Sequence, residues 1–291
     1  RRYFKRHAYG NTRLGDLLSV LEETSGRDMG AWARSWLQTA GVNSLTPQVL
    51  LDGEGRVSEL AVVQEAAESH PELRPHRVAV GLYRRTADGA LERYARAETD
   101  VDGPRSSVTE RVGAEAPELV LVNDDDLTFC KTRFDDTSLA TLRAALGEMT
   151  DPLARALCWS ALWNMTRDAL LPAREFIDLV LRFAHRESDI GVLQMLHAWA
   201  DSALTLYAAP EWRAEGTRLL AEGASAQLYA AEHGSEHQLA WARFFARVTD
   251  EPGFGLLTGL LDGSATVEGL AVDQELRWAL LDTLATYGVV G

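Results

Sequence analysis

A chain of 291 residues with 46% hydrophobic and 25% charged residues can form two or three modest globular domains, each with its own core. Its formal net charge of −14 argues against nucleic acid as a partner, because phosphate backbones are gripped by clustered Lys and Arg. No apolar run approaches the roughly 20 residues that span a bilayer, so no membrane partner is expected either.

Two cysteines, Cys130 and Cys158, are too few for a disulfide framework and read as small buried thiols in a reducing, cytoplasmic compartment. The opening Arg1-Arg2-Tyr3-Phe4-Lys5 reads as the interior of a folded region, so the chain is expected to be the back part of a larger protein.

Residues 1–45 are expected to be helical. Asn11-Thr12 offers an N-cap, and Leu14, Leu17, Leu18 and Leu21 then share one face. Ser25-Gly26 breaks that helix. Asp28 caps the next, where Met29, Trp32, Ala33 and Trp36 repeat the spacing until Gly41 stops it. Two short helices with apolar stripes facing one way must pack on something else.

Residues 46–123 change period. Val78, Val80 and Leu82 alternate with Arg77, Ala79, Gly81 and Tyr83, as on a half-buried strand, and Asp88-Gly89 leads into Leu91–Tyr94 as a hairpin turn. Further strands are expected at Gln48–Leu51, Arg56–Gln64, Ser107–Val112 and Leu119–Val122, between turn residues such as Asp52-Gly53 and Asp102-Gly103-Pro104. This pattern predicts a small antiparallel β-sandwich.

Residues 124–291 read as all helix, with segments at Thr137–Met149, Pro152–Asp168, Pro172–His185, Ile190–Leu206, Glu211–His233, Glu236–Arg247 and Val267–Tyr287, and a short one at Phe254–Leu261. Proline after Asp151 and after Leu171 suits a first helical turn. Short links between successive helices predict a superhelical, HEAT/armadillo-like stack of antiparallel pairs, without a strict sequence repeat.

Few motifs carry chemistry. His233-Gly234-Ser235-Glu236-His237 matches H-x-x-E-H, but Gly234-Ser235 separates two helices and Ser235 reads as an N-cap, so it is not a metal site. Asp124-Asp125-Asp126 lacks the spacing of a calcium loop and reads as solvated linker. Arg155, Trp159, Trp163 and Arg167 share one helical face. Most simply this is a packed aromatic stripe flanked by arginines; as a functional reading, it is a substrate-binding cavity wall with an arginine meeting a peptide carboxylate. His197, Trp199 and Tyr207 read as helix packing. No H-E-x-x-H occurs, so neither a catalytic residue nor a metal ligand is assigned.

The opening Tyr3–Leu18, then Ser25-Gly26-Arg27-Asp28 and Ala31-Trp32 to Trp36, resembles the end of the catalytic domain in aminopeptidase N-like zinc metallo-aminopeptidases, of the gluzincin class. Asn123 to Asp126 followed by Thr128–Asp135 resembles that family's junction between sandwich and helical domain, with Lys131 where arginine is common and Cys130 in place of an aromatic residue. Trp163–Asp168 is similar to the bacterial, actinobacterial branch.

The resemblance covers essentially the whole chain and implies a multi-domain α+β protein. Its parts are helices ending a thermolysin-like catalytic domain (1–45), a β-sandwich (46–123) and an all-α C-terminal cap (124–291). It implies a parent that removes N-terminal amino acids from peptides with zinc, while this portion binds none, is inactive alone, partners the missing N-terminal and catalytic domains, and caps the active site to limit peptide access. The alternative reading is a helical-repeat protein-interaction module, an adaptor or scaffold without activity.

Overall fold

The structure, a computed structural model, describes residues 1–290. They divide into two compact units: residues 1–82 with 95–135, and residues 83–94 with those from Asp136 onward.

The first unit opens with three helices, α1 (Arg2–Arg6), α2 (Leu14–Ser25) and α3 (Met29–Leu37). The N-cap of α2 is Arg13 rather than Asn11 or Thr12: the Arg13 amide donates to Asp16 Oδ2 at 2.8 Å, while the Thr12 hydroxyl takes the Tyr3 O–H. Gly26, at φ +68°, ends α2, and Asp28 caps α3 by accepting from the Gly30 and Ala31 amides, as the sequence predicts. The α3 helix stops at Leu37, before Gly41. A buried guanidinium takes one of its last carbonyls and one beyond its end, since Arg74 donates to the carbonyls of Ser35 at 2.8 Å and Ala40 at 2.9 Å.

Seven strands follow: β1 (Ser44–Leu51), β2 (Val57–Glu65), β3 (His76–Arg85), β4 (Leu91–Val101), β5 (Arg105–Ser107), β6 (Leu119–Asp124) and β7 (Lys131–Thr132). They form two sheets, in the orders β5-β2-β1-β7 and β4-β3-β6. The β1–β2 and β2–β5 pairs are antiparallel, and Leu45, Leu60, Val80, Leu119 and Leu121 are fully buried. Two expectations are corrected. The strand at Ser107–Val112 ends at Ser107 and gives way to a 3₁₀ turn at Thr109–Arg111. The sheets are not purely antiparallel, because β7 pairs in parallel with β1, with Lys131 opposite Ser44. The first compact unit runs on through β7 to Asp135.

Nor is Asp124-Asp125-Asp126 a solvated linker. Asp124 is buried, and Asp125 pairs with Arg96 at 2.6 Å. Asn123, Asp125 and Asp126 all take positive φ, which Asn and Asp tolerate better than other residues with a Cβ. The Asn123 amide clamps Thr128 through both its backbone groups.

His76 is buried at the start of β3. Asn43 Oδ1 can only accept, so the His76 Nε2–H donates to it at 3.3 Å, leaving Nδ1 to accept the Thr128 hydroxyl at 2.9 Å. Burial, and then the nearby Arg74 charge, push the imidazole down to about 4. The unfolded chain takes a proton near pH 6.5 that the folded chain refuses until about pH 4. The stability contributed is therefore full above about pH 6.5 and is lost as the pH falls through that window. Urea midpoints measured from pH 7 down to pH 4 are expected to decline, and His76→Gln to flatten the decline; an unchanged slope in that variant would refute this.

In the second unit, the hairpin tip turns at Asp88-Gly89, where the Thr86 amide donates to the Ala90 carbonyl at 2.8 Å. Eight helices follow: α4 (Asp136–Ala145), α5 (Pro152–Arg167), α6 (Ala173–Phe183), α7 (Ile190–Ser202), α8 (Arg213–Ala230), α9 (Glu236–Val248), α10 (Glu251–Asp262) and α11 (Gln274–Thr286). Asp151, Asp189, Ser235 and Asp273 cap α5, α7, α9 and α11 through their side chains. Contacts run between sequence neighbours and also between alternate helices: α5 with α7, α6 with α8, α7 with α9, and α9 with α11. That is the two-layer stacking of a helical solenoid, as predicted. No helix among the described residues is long and apolar enough to cross a membrane.

Candidate functional site

The α5 face that carries Arg155, Trp159, Trp163 and Arg167 is split by the fold. Arg155 and Trp159 turn into the helical core. Arg155 Nε donates to Glu187 Oε1 at 2.8 Å and its Nη1 to the Met149 carbonyl at 2.6 Å; Trp159 Nε1 donates to the same Glu187 oxygen at 2.6 Å. The Arg155 and Glu187 side chains are 8% and 2% exposed, so this pair is sealed from solvent. Side chains so enclosed do not form a wall open to a peptide. Glu187 lies in the link before α7, and its own carbonyl faces His237 Nε2 of α9 at 3.0 Å. One residue thus ties α5, α9 and the α6–α7 link together.

Trp163 sits one turn further on. Its ring stacks on Trp199 (5.7 Å, 14°), leans on Phe176 and meets Tyr207 edge-on at 5.6 Å. Arg167 is exposed at the end of α5, about 18 Å of helix from Arg155. The four residues therefore do not converge on one cavity.

What the aromatic cluster does reach is a groove of about 500 Å³, where Pro172 and Arg174 at the start of α6 face Tyr207, Ala208, Glu211 and Trp212. Its wall is irregular backbone: α7 passes into a π-helical turn at Ala203–Tyr207, and a 3₁₀ turn at Pro210–Trp212 leads into α8. A Cβ on Gly216 would lie 2.5 Å from Leu204 Cδ1 and 2.6 Å from Trp212 Cζ3, so only glycine lets α8 approach this turn so closely. Apolar Tyr207 and Trp212 between Arg174 and Glu211 make a surface able to take an apolar side chain with a polar group at its edge. Tyr207 reads as packing from sequence, whereas Arg174 and Trp212 carry no sequence signal beyond the Pro210 that shapes the turn.

Of the other motifs, His233 lies in an exposed loop, 3.6 Å from Glu268, while His237 turns to the Glu187 carbonyl, so H-x-x-E-H does not gather its histidines. Neither Cys130 nor Cys158 is part of a disulfide, and burial pushes the Cys130 thiol up to about 12. Among the described residues no three His, Cys, Asp or Glu side chains are grouped to hold a metal ion, so the zinc implied by the resemblance finds no donor set here.

Residues 119–291 match the family described as the ERAP1-like C-terminal domain. Aminopeptidase N of Streptomyces lividans is 50% identical over 296 residues, which take in 99% of this chain and 34% of that protein. Aminopeptidase G of Streptomyces lividans is 67% identical over 36 residues, 12% of this chain and 49% of that sequence. Aminopeptidase N of Lactococcus lactis subsp. lactis (strain IL1403) is 44% identical over 50 residues, 17% of this chain and 6% of that protein. The chain thus spans about a third of the length of the Streptomyces aminopeptidase N it matches.

Proposed function

The chain belongs to the ERAP1-like C-terminal domain family, as the C-terminal portion of an aminopeptidase N-like protein, and from that premise we propose that it caps the active site of a zinc aminopeptidase and limits which peptides enter. The observation that carries this reading is the 50% identity across 99% of the chain to an aminopeptidase N of which it covers only 34%. Peptide hydrolysis, zinc and the free amine of the substrate are then handled by the rest of a cytoplasmic parent enzyme, and the present residues are inactive alone.

Two structural features support the reading. Phe4, Leu14, Leu17, Trp32 and Leu37 of the first unit are exposed, an apolar surface suited to packing on a catalytic domain. The groove of Tyr207 and Trp212 is the surface we assign to contact with the peptide.

The purified 291-residue chain is expected neither to cleave aminoacyl-naphthylamides nor to retain zinc, and stoichiometric zinc with turnover would overturn the assignment. In the whole enzyme, a decapeptide carrying a benzophenone at its far end is expected to crosslink to the residues of this chain. Labelling confined to the other two thirds of the protein would refute the capping role.

A further inference from the structure

The helices α7, α9 and α11 belong to one layer of the stack, and their shared surface carries two hollows. One, of about 230 Å³, is lined by Gln194 and His197 of α7 and by Phe244. The other, of about 330 Å³, is lined by Asp282, Thr283 and Tyr287 from α11 and its end. Arg243 and Arg247, one turn apart on α9, border both.

Several arginines of the chain are held by carboxylates, and these two are not. Acidic residues outnumber basic ones 43 to 29, and Arg77, Arg96, Arg155 and Arg218 each hold a carboxylate. Among the described residues Arg243 and Arg247 form no hydrogen bond or ion pair. Asp201 feels the charge of Arg247, and Asp282 lines the second hollow, yet neither pairs with a guanidinium. Two like charges at i and i+4 repel, and Asp201 and Asp282 lie near them without a direct hydrogen bond to either guanidinium.

Beside them lies a buried imidazole with unused capacity. The His197 ring stacks on Phe244 (4.2 Å, 4°) and touches Trp241 at 4.3 Å, and its Nε2 is buried without a hydrogen-bond partner. Burial, then the charge of Arg247, push this ring down to about 3, so it is neutral and carries one N–H. Buried polar atoms in native proteins are nearly always paired, and an orphan beside two unpaired guanidinia calls for a ligand.

We propose that His197, Arg243 and Arg247 form a binding site for a small oxoanion, a carboxylate or a phosphate. Guanidinium groups match both by paired, charge-assisted hydrogen bonds. The site is on a different part of the stack from the Tyr207 groove and does not depend on the peptidase reading.

The test is a titration of the 291-residue chain at constant ionic strength. Sodium phosphate, trialanine and trialanine amide are added separately, with the His197 ring followed by NMR and the heat by calorimetry. One saturable site is expected. Arg243→Gln and Arg247→Gln, which keep the side-chain stem, should each weaken binding about tenfold, while Arg218→Gln on α8 leaves it unchanged. Saturation by trialanine and not by its amide supports the site with a carboxylate ligand, and saturation by phosphate alone supports it with a phosphate. No saturable response to phosphate or trialanine, or undiminished binding in both arginine variants with native circular dichroism, overturns the proposal.

Discussion

Glu187→Ala is expected to lower the stability of the helical unit by about 3–5 kcal/mol, the cost of stripping one partner from a buried ion pair. The loss exceeds that of an exposed pair because nothing replaces the carboxylate. Arg155 retains only the Met149 carbonyl, and the buried Trp159 N–H loses its acceptor. Glu187→Gln keeps an oxygen for one donor and should lose roughly half as much. The double change Arg155→Met with Glu187→Leu removes both charges and should recover part of the stability, since apolar residues of similar volume replace buried ion pairs well, while the Trp159 N–H still lacks its acceptor. Urea denaturation followed by far-ultraviolet circular dichroism measures all three. A loss under about 1 kcal/mol for Glu187→Ala would mean that the network contributes little.

Gly269→Ala is expected to cost about 2–5 kcal/mol, from a strained backbone together with an unrelievable contact. Gly269 has φ +79°, and a Cβ there would sit 2.6 Å from the Gly234 amide nitrogen and 2.7 Å from His233 Cα. Those are backbone atoms, which cannot swing aside as a side-chain tip would. The clash would fall where Gln238 joins the two loops, accepting from the Gly234 amide and donating to the Glu268 carbonyl. The same measurement applies, with Gly263→Ala as the comparison: it has a similar φ of +85° but open space around it, so it isolates the backbone term. Equal losses in the two variants would show that the close approach of the loops contributes nothing.

The features legible in the sequence are those decided within a few residues. Asp28 and Ser235 cap helices because a short side-chain oxygen reaches the amides two or three positions on. The Asp88-Gly89 turn and the alternation through Val78–Tyr83 fixed a hairpin for the same reason. The spacing predicts a C-terminal helix from Val267, whereas it starts at Gln274, because nothing in that spacing marks Asp273 as the cap. The spacing through Ile190–Leu206 predicts a regular helix, although its last turn is π-helical, a change that periodicity does not register.

For the site, periodicity placed Arg155, Trp159, Trp163 and Arg167 on one face, but it could not say what that face meets. Glu187 lies 32 residues from Arg155, and its side chain takes the first two of the four inward. Likewise β7 is two residues long, with no apolar alternation to detect, and exists because the edge of β1 offers unpaired backbone groups. Composition, periodicity and capping thus determined that this protein is a small β-sandwich followed by a stack of helices, since they act through neighbours along the chain. Only the tertiary structure decided which carboxylate each arginine meets, where Tyr207 opens onto solvent and why Arg243 and Arg247 stand unpaired, because those outcomes rest on groups tens of residues apart.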